Sequence, residues 1–226
     1  MWAILTGIEG NLAAYEAVIA DLRRQPVEDL YILGDVLGLQ GPVGPLLERL
    51  THPQAGELTP QICSGFWEEQ YLQMLGWMGG EPQREWVEPL MAAVPEGAVA
   101  WVRSLPFGFF ELDCLLVHGS SQGVRDELTP ATPPWELLDY LVRMDAHYLF
   151  TGRWGKPFHV ELAESEITAE VITLDQPPLS QQAHLSERHV IGVGNVGRIP
   201  GEAHYGLFNP ATGKMAFKSV AYSNAQ

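Results

Sequence analysis

Basic residues are scarce in this chain. Thirteen Lys and Arg stand against 28 Asp and Glu over 226 residues, for a formal net charge of -15. A surface this acidic repels nucleic-acid backbones, so no nucleic-acid partner is expected, and the charge reads first as a solubility feature. Cysteine is nearly missing as well. Cys63 and Cys114 sit in apolar, strand-like runs without the paired spacing of a zinc site, which reads as two buried free thiols in a reducing cytoplasm. Long apolar runs are lacking. The residues after Met1 stay apolar only as far as Leu5, too short for a signal peptide, and no later stretch is long enough for a bilayer, so no membrane partner is expected. Internal repeats, low-complexity tracts and dividing linkers are absent too. With 46% hydrophobic residues, the chain can bury a substantial core as a single domain over 1–226.

The apolar pattern sets the order of elements. Met1 to Thr6 reads as a buried strand. Asn11 can cap a helix on which Leu12, Tyr15, Val18, Ile19 and Leu22 recur at helical spacing, until Pro26 ends it. Leu30 to Leu33 is a second strand, which makes the start a strand-helix-strand unit of a parallel α/β layer. Short helices are expected at Leu46 to Leu50, from Phe66 to Val94 with a break near Gly79-Gly80-Glu81-Pro82, at Gly97 to Leu105 and at Trp135 to Met144. A third strand is expected at Gln61 to Ser64. Beyond Phe107 strands take over, and the second half is expected to be mostly antiparallel. Gln176 to Ser186 reads as a polar surface loop. Asn209-Pro210-Ala211-Thr212-Gly213 reads as a hairpin turn.

Several spaced segments together resemble one family. Ile4-Leu5-Thr6-Gly7-Ile8-Glu9-Gly10-Asn11 is similar to the first motif of the calcineurin-like metallophosphoesterases, which usually reads Ser-Asp-Ile-His-Gly-Asn. Gly34-Asp35-Val36-Leu37-Gly38 resembles the second motif. Gly65-Phe66-Trp67-Glu68 falls where the family has Gly-Asn-His-Asp. Leu116-Val117-His118-Gly119-Ser120 resembles the middle histidine motif, and Gly152-Arg153-Trp154-Gly155-Lys156-Pro157-Phe158 aligns with Gly-His-x-His and its trailing Pro-Phe. Asn195-Val196-Gly197-Arg198 resembles the late Ser-Val-Gly-Gln segment. The resemblance spans essentially the whole chain. It implies a four-layer αββα fold, two β-sheets packed face to face with helices outside and a cleft at the strand ends.

The same resemblance implies a two-metal phosphoesterase site, and the chain departs from it. Such chemistry needs two divalent ions about 3.5–4 Å apart, held by carboxylate, imidazole and amide donors. Asp35 keeps the bridging aspartate and His118 the middle histidine. Gly7 replaces the first aspartate, and Glu9 the first histidine. Phe66 and Trp67 replace the asparagine ligand and the catalytic histidine. Arg153 and Gly155 replace the last two histidines. Glu9 reads equally as a ligand, a solvated carboxylate or a salt-bridge partner. Phe66 and Trp67 read as packing residues. Arg153 is expected either to stand in for the metals by pairing with Asp35, Glu9 or both, or to be an exposed loop arginine.

Three functions stay open on these residues. The chain is a catalytically silent scaffold without the dinuclear centre and with no cofactor. Alternatively it is a metal-dependent phosphoric ester hydrolase with one divalent ion (Mn, Fe, Zn or Ni) on Asp35, His118 and Glu9. In the third, Arg153, Lys156 and Arg198 draw a small phosphorylated or anionic ligand to the cleft. His52, His147, His159, His184, His189 and His204 lie outside the motif positions and read as surface or structural. Trp77, Trp86 and Trp101 read either as core or as an oligomer interface.

Overall fold

The computed structural model describes residues 1–163, 165–173, 176–185 and 187–223, and leaves the side chains at 84, 165–173 and 176–185 outside the description. The chain begins with strand β1 (Trp2–Leu5), helix α1 (Leu12–Leu22) and strand β2 (Asp29–Leu33). Asn11 caps α1 by accepting a hydrogen bond from the Ala14 N–H at 3.1 Å. Next come α2 (Val43–Thr51), β3 (Gln61–Cys63), α3 (Phe66–Met74), α4 (Arg84–Ala93) and α5 (Ala98–Ser104). The second half holds β4 (Gly108–Glu111), β5 (Cys114–Val117), α6 (Pro134–Arg143), β6 (Tyr148–Thr151), β7 (Pro157–Leu162), β8 (Ser165–Thr173), β9 (Gln176–Leu185), β10 (Arg188–Val193), β11 (Glu202–Asn209) and β12 (Lys214–Ala221).

Two five-stranded sheets form, in the orders β12-β11-β1-β2-β3 and β4-β5-β6-β10-β7. Alternation along each strand decides the layers. Trp2 and Ile4 of β1 point between the sheets, where they meet Tyr31, Leu33, Phe150, Ile191 and Phe208. Ala3 and Leu5 point outward, under Ala14, Val18 and Leu46 of α1 and α2. On the far face, Leu137 and Leu141 of α6 cover Leu115, Leu149 and Val190. The architecture is thus α/β with four layers, as the resemblance implies. Cys63 and Cys114 are buried and free. No helix among the described residues is long and apolar enough to cross a membrane.

One expectation fails. Gln176–Leu185 is a strand paired antiparallel with β8, although Pro177, Pro178 and the polar residues suggested a loop, and Ser186 lies outside the described residues. The second half is mostly antiparallel, as expected, but its centre is parallel. β5 pairs parallel with β6, and β6 parallel with β10. The cause is α6, which carries the chain from the end of β5 back to the start of β6 as a crossover. The parallel strands of both sheets therefore end on the same rim, and the motif loops gather there.

Candidate functional site

Four loops build the cleft: the one after β1 (Gly7 to Asn11), the one after β2 (Gly34 to Gly38), the turn after β6 (Gly152 to Gly155) and the one after β10 (Gly194 to Arg198). Backbone bonds lace them together. Glu9 N–H donates to the Asp35 carbonyl (3.0 Å), Gly197 N–H to the Gly7 carbonyl (2.8 Å), and Val196 N–H to the Thr6 carbonyl (3.0 Å). Asn195 adds a side-chain tie, donating from Nδ2 to the Gly155 carbonyl at 2.6 Å and accepting the Arg198 N–H at 2.9 Å. Glu9 and Asp35 both lie in the left-handed region, at φ 54° and 53°. For a non-glycine residue that conformation costs on the order of 1–3 kcal/mol, and it persists only where the surroundings hold it.

At the centre is Arg198. Its Nη2 donates to Asp35 Oδ2 at 2.6 Å, and its Nε donates to Glu9 Oε1. Nη1 reaches the Arg153 carbonyl at 3.3 Å. Asp35 is fully buried and Glu9 nearly so. Burial pushes the Asp35 carboxyl up, but His118, Arg198 and the Trp67 N–H hold it down at about 2. Glu9 is raised, because burial outweighs Arg198 and Asp35 repels it. Burial alone would depress Arg198, yet the two carboxylates raise it.

Two glycines make room for this guanidinium. A Cβ on Gly155 would stand 2.7 Å from Arg198 Nη1, and Gly155 has φ +75°. A Cβ on Gly7, at φ +61°, would approach Asn195 Cβ to 3.2 Å and Arg198 Nε to 3.6 Å. The two positions at which the resemblance places an aspartate and a histidine thus line the space that Arg198 fills.

The expected pairing of Arg153 is corrected by this geometry. Arg153 lies with its guanidinium 4.2 Å from the Phe66 ring centroid, a cation–π contact, and the carboxylates go to Arg198. The reason is the tight turn after β6. Gly152 and Arg153 both donate their N–H to the His118 carbonyl at 2.8 Å, and that turn aims the Arg153 side chain across α3. The Arg198 loop instead enters beside Gly7. Lys156 does not join the other two basic residues. It is exposed, with Nζ 5.2 Å from the Trp154 ring centroid.

His118 is fully buried behind Asp35. Its Nδ1 donates to the Leu33 carbonyl at 2.7 Å, and Nε2 faces Asp35 Oδ2 at 3.3 Å. One residue at the centre was missed as a site residue from the sequence. Glu68, in the first turn of α3, is fully buried and accepts N–H bonds from Asp35 (2.9 Å), Leu37 (2.8 Å) and Gly65 (2.8 Å). Burial and Asp35 push its carboxyl up to about 7, against the pull of those N–H groups. A glutamate three residues past Gly65 at a helix start was the available signal. Phe66 and Trp67 are buried, in edge contact with each other, and Trp67 in turn with Trp86. Beside them opens a cleft of about 350 Å³ lined by Glu9, Gln40, Phe66, Trp86, Arg153 and Arg198, among others.

No protein-family profile and no curated protein matches this sequence. Its structure is similar to solved ones. A metallophosphoesterase from Sphaerobacter thermophilus superposes with a TM-score of 0.66 at 19% identity, over 98% of this chain and 88% of that one. A hypothetical protein from Pyrococcus horikoshii OT3 superposes with a TM-score of 0.70 at 18% identity, over 99% and 90%. The chain has the metallophosphoesterase fold.

Proposed function

We propose that this protein is a catalytically silent phosphoesterase-fold protein whose cleft binds a small phosphorylated or otherwise anionic ligand. The observation that carries the proposal is the Arg198 guanidinium held between Asp35 and Glu9. Metal-pair chemistry requires free donors on both sides of a bridging carboxylate. Here Asp35 and Glu9 are already bound to a protein cation, Gly7 and Gly155 supply no donor atom, and Arg198 stands against both of their Cβ directions. Phe66 and Trp67 bring hydrocarbon where an amide and an imidazole would be needed. The residues present do not fit a metal pair.

Arg153 supports the ligand half of this reading. Its Nε is buried with no hydrogen-bond partner among the described residues, and the side chain lines the open cleft. A buried guanidinium N–H left unmatched is a demand for an acceptor oxygen. The second reading is a hydrolase with one divalent ion on Asp35, His118 and Glu9. His118 Nε2 favours it, lying buried 3.3 Å from Asp35 Oδ2, the spacing of two ligands on one ion, and three protein ligands with an open position can support hydrolysis.

Chelator-treated protein should show no turnover of bis-p-nitrophenyl phosphate above buffer when Mn²⁺ is added back. It should melt at higher temperature with nucleoside monophosphates or inorganic phosphate, and Arg153→Ala should remove that shift. Turnover lost in Asp35→Asn would establish the one-metal reading instead. A melting temperature unchanged by millimolar phosphates would sink the ligand half.

A further inference from the structure

A second cluster of metal-binding side chains lies at the other end of the β7–β10 pair from the Gly155 and Arg198 loops. His189 and Glu161 face each other across the antiparallel β7–β10 register, and Ile191 faces His159. Alternation puts His159, Glu161 and His189 on one face of the sheet. Glu187, two residues before His189, brings a second carboxylate to the same point. One ligand atom from each of Glu161, Glu187 and His189 falls within 4.8 Å of the others. His189 Nε2 stands 3.3 Å from Glu187 Oε1. Zinc bonds of 2.0–2.2 Å in a tetrahedron set their ligand atoms about 3.4 Å apart.

Two features besides the carboxylates single out His189. Its ring is stacked on Tyr148, with centroids 4.7 Å apart and planes 17° apart, so its direction is fixed. Its Nδ1 lies 3.1 Å from His159 Nε2. If Nδ1 donates there, Nε2 carries the lone pair and faces the Glu187 carboxylate. That is the tautomer of a metal-ligating imidazole whose far nitrogen is held by a hydrogen bond. Arg188, although adjacent, does not neutralise the carboxylates; it is buried and donates to the Ala146 carbonyl.

We propose that His189 Nε2, Glu161 and Glu187 form a zinc site, completed by water, with His159 as the residue that positions His189. Two carboxylates and a neutral imidazole offset a divalent charge, and imidazole with carboxylate oxygens suits zinc. The site is independent of the central cleft and survives whichever reading of that cleft holds.

The test uses the untagged full chain after chelator treatment, titrated with ZnSO₄ in a calorimeter and checked by elemental analysis after desalting. The expected result is saturable binding that retains one zinc per chain in Asp35→Asn. In the Asp35→Asn background, binding should be lost in Glu161→Gln/Glu187→Gln and weakened 10- to 100-fold in His159→Gln. Both glutamates are exposed, so this double variant carries the test even if His189→Ala fails to fold. Zinc that persists when the double variant is combined with Asp35→Asn, zinc lost in Asp35→Asn alone, or no saturable binding at all would each overturn the proposal.

Discussion

The central cleft and the β7–β10 edge solve the same electrostatic problem in opposite ways. Each gathers side-chain carboxylates and a histidine: Asp35, Glu9, Glu68 and His118 in the cleft, and Glu161, Glu187 and His189 at the edge. In the cleft, Asp35 is fully buried, and the cation comes from the chain itself as Arg198. At the edge, Glu187 is 47% exposed, and water supplies the compensation. Depth decides the difference. A buried carboxylate without a partner costs several kcal/mol, whereas an exposed one costs almost nothing. The cleft therefore needs a cation of its own, and the edge is free to leave its carboxylates open.

Removing the protein cation gives the largest contrast. Arg198→Met should lower unfolding stability by about 3–5 kcal/mol, because Asp35 and Glu9 keep their burial and lose their partner. A urea-unfolding loss under about 1 kcal/mol would erase the distinction between the two regions. Acid should act next. Asp35 is depressed below the ordinary aspartate value of about 3.9, so its stabilisation is complete above pH 4 and disappears as pH falls toward 2. Unfolding curves across that window should show a loss of about 2 kcal/mol that Asp35→Asn lacks. Gly155→Ala should cost roughly 1–3 kcal/mol, from the positive φ and the crowding of Arg198, and a thermal melt reads it. Smallest is the edge itself. Without metal, Glu187→Gln should change stability by less than about 0.5 kcal/mol. A larger loss would mean that the edge carboxylates are structural.

Much of this was legible in the sequence. The β1-α1-β2 start and the break near Gly79 followed from apolar period and turn residues, the four-layer packing followed from the family resemblance, and the motif loops meet where their order implied. What the sequence left open was which guanidinium would reach the carboxylates. Arg153 and Arg198 both follow glycine-containing loops, and only the direction of the turn after β6 separates them. Glu68 was hidden because its partners are backbone N–H groups, which leave no mark in side-chain identity. Gln176–Leu185 misled because paired prolines and polar residues can still run along a two-stranded ribbon. His159 and His189 seemed unremarkable for a different reason: they are 30 positions apart and meet only through strand pairing.

Arg198 lies 189 positions after Glu9 and 163 after Asp35. On a ribosome, the two carboxylates emerge long before the cation that satisfies them. Up to that moment the first loop has backbone tethers to the second but no counter-charge, and its left-handed Glu9 and Asp35 have little to hold them. The rim therefore closes late, when β10 and β11 arrive and β11 pairs with β1. A chain cut short before Arg198 is expected to be caught by proteases and quality control, while one that runs through β11 gains the clamp.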